Sequence, residues 1–370
     1  MTYIEIETQE KLSCIVANNN IISKFAFQDL DFSDFDNQIN HKKFDDCIFL
    51  GCTIPSSILK IVSLNCLIFP EINVPYNPFI NKLYSRNTLL GEYELGNPDS
   101  YEKTLDKVVY DHYISGGKEA NDIKETLGRR LHDHSITDAL YDFLDNFDDK
   151  KIVAVMGGHS LLRNDINYIE IARISKQLTE MGYLMISGGG PGAMEATHVG
   201  AWLAGKEDGD LVKIVELLAE APSYKDKLWL EKAFQAIKLF PNTNYKSLGI
   251  PTWLYGHEPP TPFATDIAKY FANSVREDGL LAIAKGGVIF APGSAGTIQE
   301  IFQDATQNHY LSFDFASPMV FYNKQYWNSD RPIYPLLNKM FLEGKYKNLI
   351  LSNCDTKEEV ITELEKFSKK

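Results

Sequence analysis

Short apolar runs separated by stretches of helical period divide the chain into three textures. From Met1 to about Tyr93 the runs are brief. Cys47–Leu50 (CIFL) and Cys66–Phe69 (CLIF) read as buried strands, and Ser56–Ser63 between them reads as a helical turn or two. The pattern predicts a small N-terminal α/β region over residues 1–95. Phe25–Phe35 sets an aromatic every few residues among acids, but the stretch is too short to count as a repeat, and no repeat architecture is expected. Residues 96–150 are rich in helix formers and predict a helical connector. Within it, DHSITDALYDFLDNF offers Asp133 or Ser135 as a helix cap and puts Ile136, Leu140, Phe143 and Leu144 on one face. The charged Asp148–Lys150 marks the next boundary.

Residues 151–370 have another rhythm. Lys151–Gly157 (KIVAVMG) is a continuous apolar run ending in glycine, as expected of a parallel strand buried on both faces. A helix over about Asn167–Met181, a strand at Tyr183–Ser187, a glycine turn and a helix starting near Met194 follow. After a longer helical stretch come LGIPTWLYG, a helix over about Ala264–Lys285, the strand GVIFA, a small-residue turn, another helix and the strand Pro318–Tyr322. Apolar strands alternating with helices predict an α/β doubly wound parallel sheet, Rossmann-like in kind.

Composition narrows the class. With 44% hydrophobic and 24% charged residues in 370, the chain is that of a soluble globular protein. No apolar stretch approaches the ~20 residues of a membrane span. The N-terminus MTYIEIETQEKL lacks the basic and apolar regions of a secretory signal, so a cytoplasmic protein is expected. The five cysteines have no CxxC spacing, which argues against a disulfide framework and a zinc site and predicts buried free thiols. The histidines lack the spacing of a helical metal site, so no metal is expected, and nothing marks a Schiff-base lysine, so no cofactor is expected. A net charge of −13 disfavours nucleic acid and anionic lipid as partners, yet leaves room for a small phosphorylated ligand held by local amides and one arginine.

Three segments carry candidate chemistry. In SGGGPGAMEATHVGA, Gly188, Gly189 and Gly190 let the backbone approach a ligand at a helix N-terminus, where free amides and the dipole favour phosphate. In PGSAGTIQE, Gly293, Ser294, Ala295, Gly296 and Thr297 form a second such turn, with Glu300 three residues after Thr297. A cap built from Thr297 and Glu300 is the structural alternative there. In NSVREDG, Arg276 is either an anion clamp or an ordinary surface arginine. His159 sits in the first glycine turn, beside Gly157 and Gly158.

With these segments in this order, residues Lys151 to Trp327 resemble the LOG ("Lonely Guy") family of nucleoside 5'-monophosphate phosphoribohydrolases, long mislabelled as lysine decarboxylases. The resemblance rests on GGGPGAMEA (Gly188–Ala196) and PGSAGTIQE (Pro292–Glu300), supported by VMGG, PPTPFAT (Pro259–Thr265) and SPMVFYNKQYW (Ser317–Trp327). It implies catalytic roles for Glu300 and Arg276. It implies nucleotide contacts from Gly157, Gly158, His159, Gly188, Gly189, Gly190, Met194, Glu195, Gly293, Ser294, Ala295, Gly296 and Thr297. It also implies a homodimer and release of a free base from a purine nucleotide such as AMP or GMP, with cytokinin-type N6-modified AMP next. Three departures stand out: Ser294 replaces a glycine, Glu277 stands where many members have lysine, and residues 206–247 are longer than in small members, suggesting an extra helical cover. A non-catalytic nucleotide sensor or a carrier of a phosphorylated cofactor on the same fold is the alternative.

Overall fold

The computed structural model describes residues 2–369. The chain divides into two compact units. Met1–Leu83 with His112–Asp142 form the first, and Tyr84–Asp111 with Phe143–Lys370 the second. The helical stretch expected over 96–150 is thus shared between them. Its long helix runs over Ile123–Leu144, which puts Asp133 and Ser135 inside the helix and not at its start. Both are buried, and Ser135 donates to the carbonyl of Pro78 at 3.0 Å.

The first unit corrects the expectation about repeats. Its strands β1 (Ile4–Ile6), β2 (Ile21–Ser23), β3 (Phe25–Gln28), β4 (Lys43–Asp45), β5 (Ile48–Leu50) and β6 (Leu67–Phe69) all pair in parallel, in the orders β1-β3-β5-β6 and β2-β4. Ile6, Phe27, Phe49 and Ile68 fall in register one above another, at offsets of 21, 22 and 19 residues. Each offset is one coil of a short parallel β-solenoid, with helices Gln9–Asn18 and Ser56–Val62 on the connections. Lys24 and Asp46 take the same left-handed corner conformation one coil apart, at φ 63° and 51°. Phe27 stacks on Phe49 with ring centroids 5.1 Å apart, and Phe32 and Phe44 close around them. The coils share geometry and aromatic filling with little residue identity, and that conceals them in the sequence.

The second unit is the expected α/β sheet. Its strands are β7 (Ile152–Met156), β8 (Leu184–Ser187), β9 (Ser247–Gly249), β10 (Asp266–Ile267), β11 (Gly287–Phe290), β12 (Pro318–Tyr322) and β13 (Ile350–Cys354). They pair in parallel in the order β10-β9-β8-β7-β11-β12-β13. Every residue of β7, β8, β11 and β12 is buried, as a sheet covered on both faces requires. Val153, Val155, Met185, Ile289 and Val320 face a core with the helices Ile166–Glu180, Ala193–Trp202 and Lys357–Ser368. The helices Asp208–Ala219 and Trp229–Leu239 fill the long 206–247 stretch and join that core. The helix expected from Ala264 begins only at Asn273, because Asp266–Ile267 is taken up as an edge strand beside β9.

The strand order reverses between β7 and β11. The chain adds β8, β9 and β10 on one side of β7 and then β12 and β13 beyond β11 on the other. At such a reversal the connections leave in opposite directions and open a crevice at the carboxyl ends of the two strands. Three cysteines, Cys47, Cys52 and Cys354, are buried free thiols as expected, whereas Cys14 is exposed and Cys66 half-buried. Among the described residues no helix is long and apolar enough to cross a membrane.

Candidate active site

The turns that follow β7 and β11 meet at this crevice. The amide of Gly158 donates to the carbonyl of Pro292 at 3.0 Å, and that of Ala291 to Met156 at 2.8 Å. The turn after β8 forms the third wall. Its middle glycine, Gly189, has φ +70°, and a Cβ there would lie 2.8 Å from the Pro251 ring and 3.0 Å from the amide of Ile250. Only glycine brings this turn so close to the end of β9. Together the turns enclose a cleft of about 450 Å³.

Helix Asn273–Ile283 carries Arg276 into the cleft. Its Nε donates to the carbonyl of Ile250 at 2.8 Å, and its guanidinium occupies the space that a side chain on Gly188 would need. Opposite, helix Ala295–Tyr310 carries Glu300, whose Oε1 lies 4.0 Å from Arg276 Nη1. Ser294 is the N-cap of that helix, with φ −110° and no side-chain cap bond, so its backbone does not require a glycine. The first-turn amides therefore face the cleft without a capping side chain. Thr297 is the third helical residue and not the cap, which excludes the Thr297–Glu300 capping box.

Burial, opposed by Arg276 and reinforced by the neighbouring Glu277 carboxylate, pushes the Glu300 carboxyl up to about 7. Glu277 is fixed in turn, accepting from Asn273 Nδ2 at 2.6 Å and Gln299 Nε2 at 3.2 Å. One turn beyond Glu300, burial also raises Asp304, to about 8, and its Oδ2 accepts no hydrogen bond. The strand end below is clamped by the other matched segment: Trp327 Nε1 donates to Phe290 O at 2.9 Å and the Tyr326 hydroxyl to Gly293 O at 2.5 Å.

Of the residues expected at a site, Gly157, Gly158, His159, Gly188, Gly190, Met194, Arg276, Ser294, Ala295, Gly296, Thr297 and Glu300 line this one cleft. Gly189 and Gly293 shape its walls from behind: a Cβ on Gly293 would overlap the Thr297 side chain. Glu195 is elsewhere. It is fully buried, bound by Arg163 through two bonds of 2.6 and 2.7 Å and by the Tyr168 hydroxyl at 2.8 Å, and it ties neighbouring helices together. Its place in GAMEA gave no sign of that, because the partner lies 32 residues earlier. Glu258, Tyr255 and Gln299 line the cleft without having been expected there. The one cue for Glu258 was its position directly before the PPTPFAT block.

No known family profile and no curated protein matches the sequence. Fold and cleft define a Rossmann-like α/β protein with a cleft at the sheet's switch point. Among solved structures it is similar to the molybdenum cofactor carrier protein from Chlamydomonas reinhardtii (14% identity, 59% of this chain and 98% of that one, TM-score 0.38). It is also similar to the molybdenum cofactor binding protein from Rippkaea orientalis (13%, 58% and 95%, TM-score 0.37) and to TM1055 (18%, 58% and 99%, TM-score 0.36). Likeness this distant says nothing about chemistry.

Proposed function

We propose that the chain is a phosphoribohydrolase that splits the N-glycosidic bond of a nucleoside 5'-monophosphate, with water, into free base and ribose 5-phosphate. The observation that carries this reading is the Glu300–Arg276 pair, held 4.0 Å apart over two glycine-rich turns at the switch point. Breaking the bond leaves positive charge on the sugar carbon as the base departs. A carboxylate beneath the ring stabilises that charge or takes a proton from the attacking water. Glu300 has the position, and a carboxyl that ionises near neutrality gives it a basicity suited to the task. Arg276 fixes the carboxylate's orientation and contributes the cleft's positive charge. The amides of Ala295, Gly296 and Thr297, at a helix N-terminus, are the natural seat for the 5'-phosphate. The phosphate then anchors the substrate while the bond at the other end of the ribose is cut.

The test is chromatographic. Purified protein is incubated with AMP, GMP, CMP and isopentenyl-AMP, and release of the base is followed. Release from at least one supports the hydrolase. Binding without release from any overturns it in favour of a carrier or sensor.

A further inference from the structure

The cleft has two chemically distinct ends. Arg276 crowds Gly188 at one end, and Met194 lies over both Gly188 and Gly190, its sulfur and methyl 2.6 and 3.0 Å from where their Cβ atoms would be. At the other end the Glu258 carboxylate lies 3.8 Å from the same position on Gly190. The order along the turn is therefore Arg276, Met194, Glu258. Around Glu258 stand two imidazoles, His159 and His257, each with Nε2 at 3.8 Å, and the Tyr224 ring packs edge-on to His159 at 6.1 Å. Tyr255 completes the rim. The Glu258 side chain is only 14% exposed, yet it accepts no hydrogen bond among the described residues.

We propose that Glu258 reads the substrate's base, and that the base is guanine. The inference rests on the nucleotide reading of the cleft. A carboxylate repels phosphate, so the phosphate belongs at the amides of Ala295–Thr297 and the base at the Glu258 end, among flat rings and a thioether suited to a heterocycle. An ionised carboxylate only accepts hydrogen bonds. Guanine presents two N–H donors side by side, at N1 and at its 2-amino group, and so satisfies both carboxylate oxygens at once. Adenine and cytosine set a ring-nitrogen lone pair beside their amino group, which opposes the second oxygen. Hypoxanthine keeps one donor of guanine's two.

The experiment compares kcat/KM for GMP, IMP, AMP and CMP on the unmodified chain and on Glu258→Gln. An amide offers one acceptor and one donor, the pattern that pairs with adenine. The unmodified chain is expected to favour GMP over AMP and CMP by about tenfold or more, with IMP between. Glu258→Gln is expected to lose at least about tenfold on GMP while AMP is unchanged or improved, a reversal that also shows the variant is folded. The same order of preference in both proteins, or GMP no better than AMP in the unmodified chain, overturns the assignment. If no base is released, the hydrolase reading falls while calorimetric binding of the same four nucleotides still decides this one: the same reversal supports it, and no binding of any overturns it.

Discussion

Near neutral pH the Glu300 carboxyl is poised between its two protonation states, and the proposed chemistry needs the ionised one. Its folded value is raised, to about 7, so activity is lost as pH falls through that value. Glu277 contributes to the rise through its charge. Glu277→Gln removes that charge and makes Glu300 easier to ionise. The acid limb of a kcat/KM profile is therefore expected to move to lower pH in this variant. Glu300→Gln keeps the size and removes the charge, and base release is expected to fall by about 100-fold or more in a discontinuous chromatographic assay. Retention of near-normal release would leave Glu300 a structural residue. Cleft-lining residues were legible in the sequence where they sit in or just after turns of small residues, as Ser294 and Glu300 do. Glu258 had only the block that follows it as a cue and Glu195 had none, since a carboxylate's own shape does not tell whether it faces a cleft or a buried arginine.

Helix Ala295–Tyr310 carries a second unusual acid that the proposed reaction does not use. Asp304 is 2% exposed, its Oδ2 has no hydrogen-bond partner, and burial raises it to about 8. An unfolded aspartate ionises near pH 4, so between about 4 and 8 the unfolded chain holds fewer protons than the folded one. Stability contributed by the neutral acid is full below that window and is lost as pH rises through it. Asp304→Asn is neutral throughout and should escape the loss. Thermal midpoints of the two proteins, followed by circular dichroism, are expected to diverge above pH 5, with the variant about 3 °C or more higher at pH 8. The helix itself was easy to expect from its period and its small-residue start. Helix Asn273–Ile283 was harder: the apolar spacing of residues 264–272 fits a helix, and only pairing with β9 across the sheet makes Asp266–Ile267 a strand. Periodicity reports the local preference, and the sheet edge overrode it.

Over the molecule, the parallel sheet of the second unit was readable from its continuous apolar strands, whereas the first unit hid its order. Its coils are matched in backbone corners and in the stacking of Phe27 on Phe49, neither of which leaves a recurring letter in the sequence. Phe49 is fully buried and touches Phe27, Phe32 and Phe44. Phe49→Ala is expected to destabilise the first unit by about 3 kcal/mol or more. Hydrogen exchange would show this as faster exchange at the amides of β3 and β5. The ladder Ile6, Phe27, Phe49, Ile68 has a further consequence for how such a chain can change over time. A residue inserted within one of these strands turns that strand's later side chains to the wrong face, whereas differences of length in the connections are absorbed there, as coils of 21, 22 and 19 residues already show without disturbing the ladder. Length in this region is therefore fixed in the strands and free in the connections, and relatives of this protein should differ there in the connections or by whole coils.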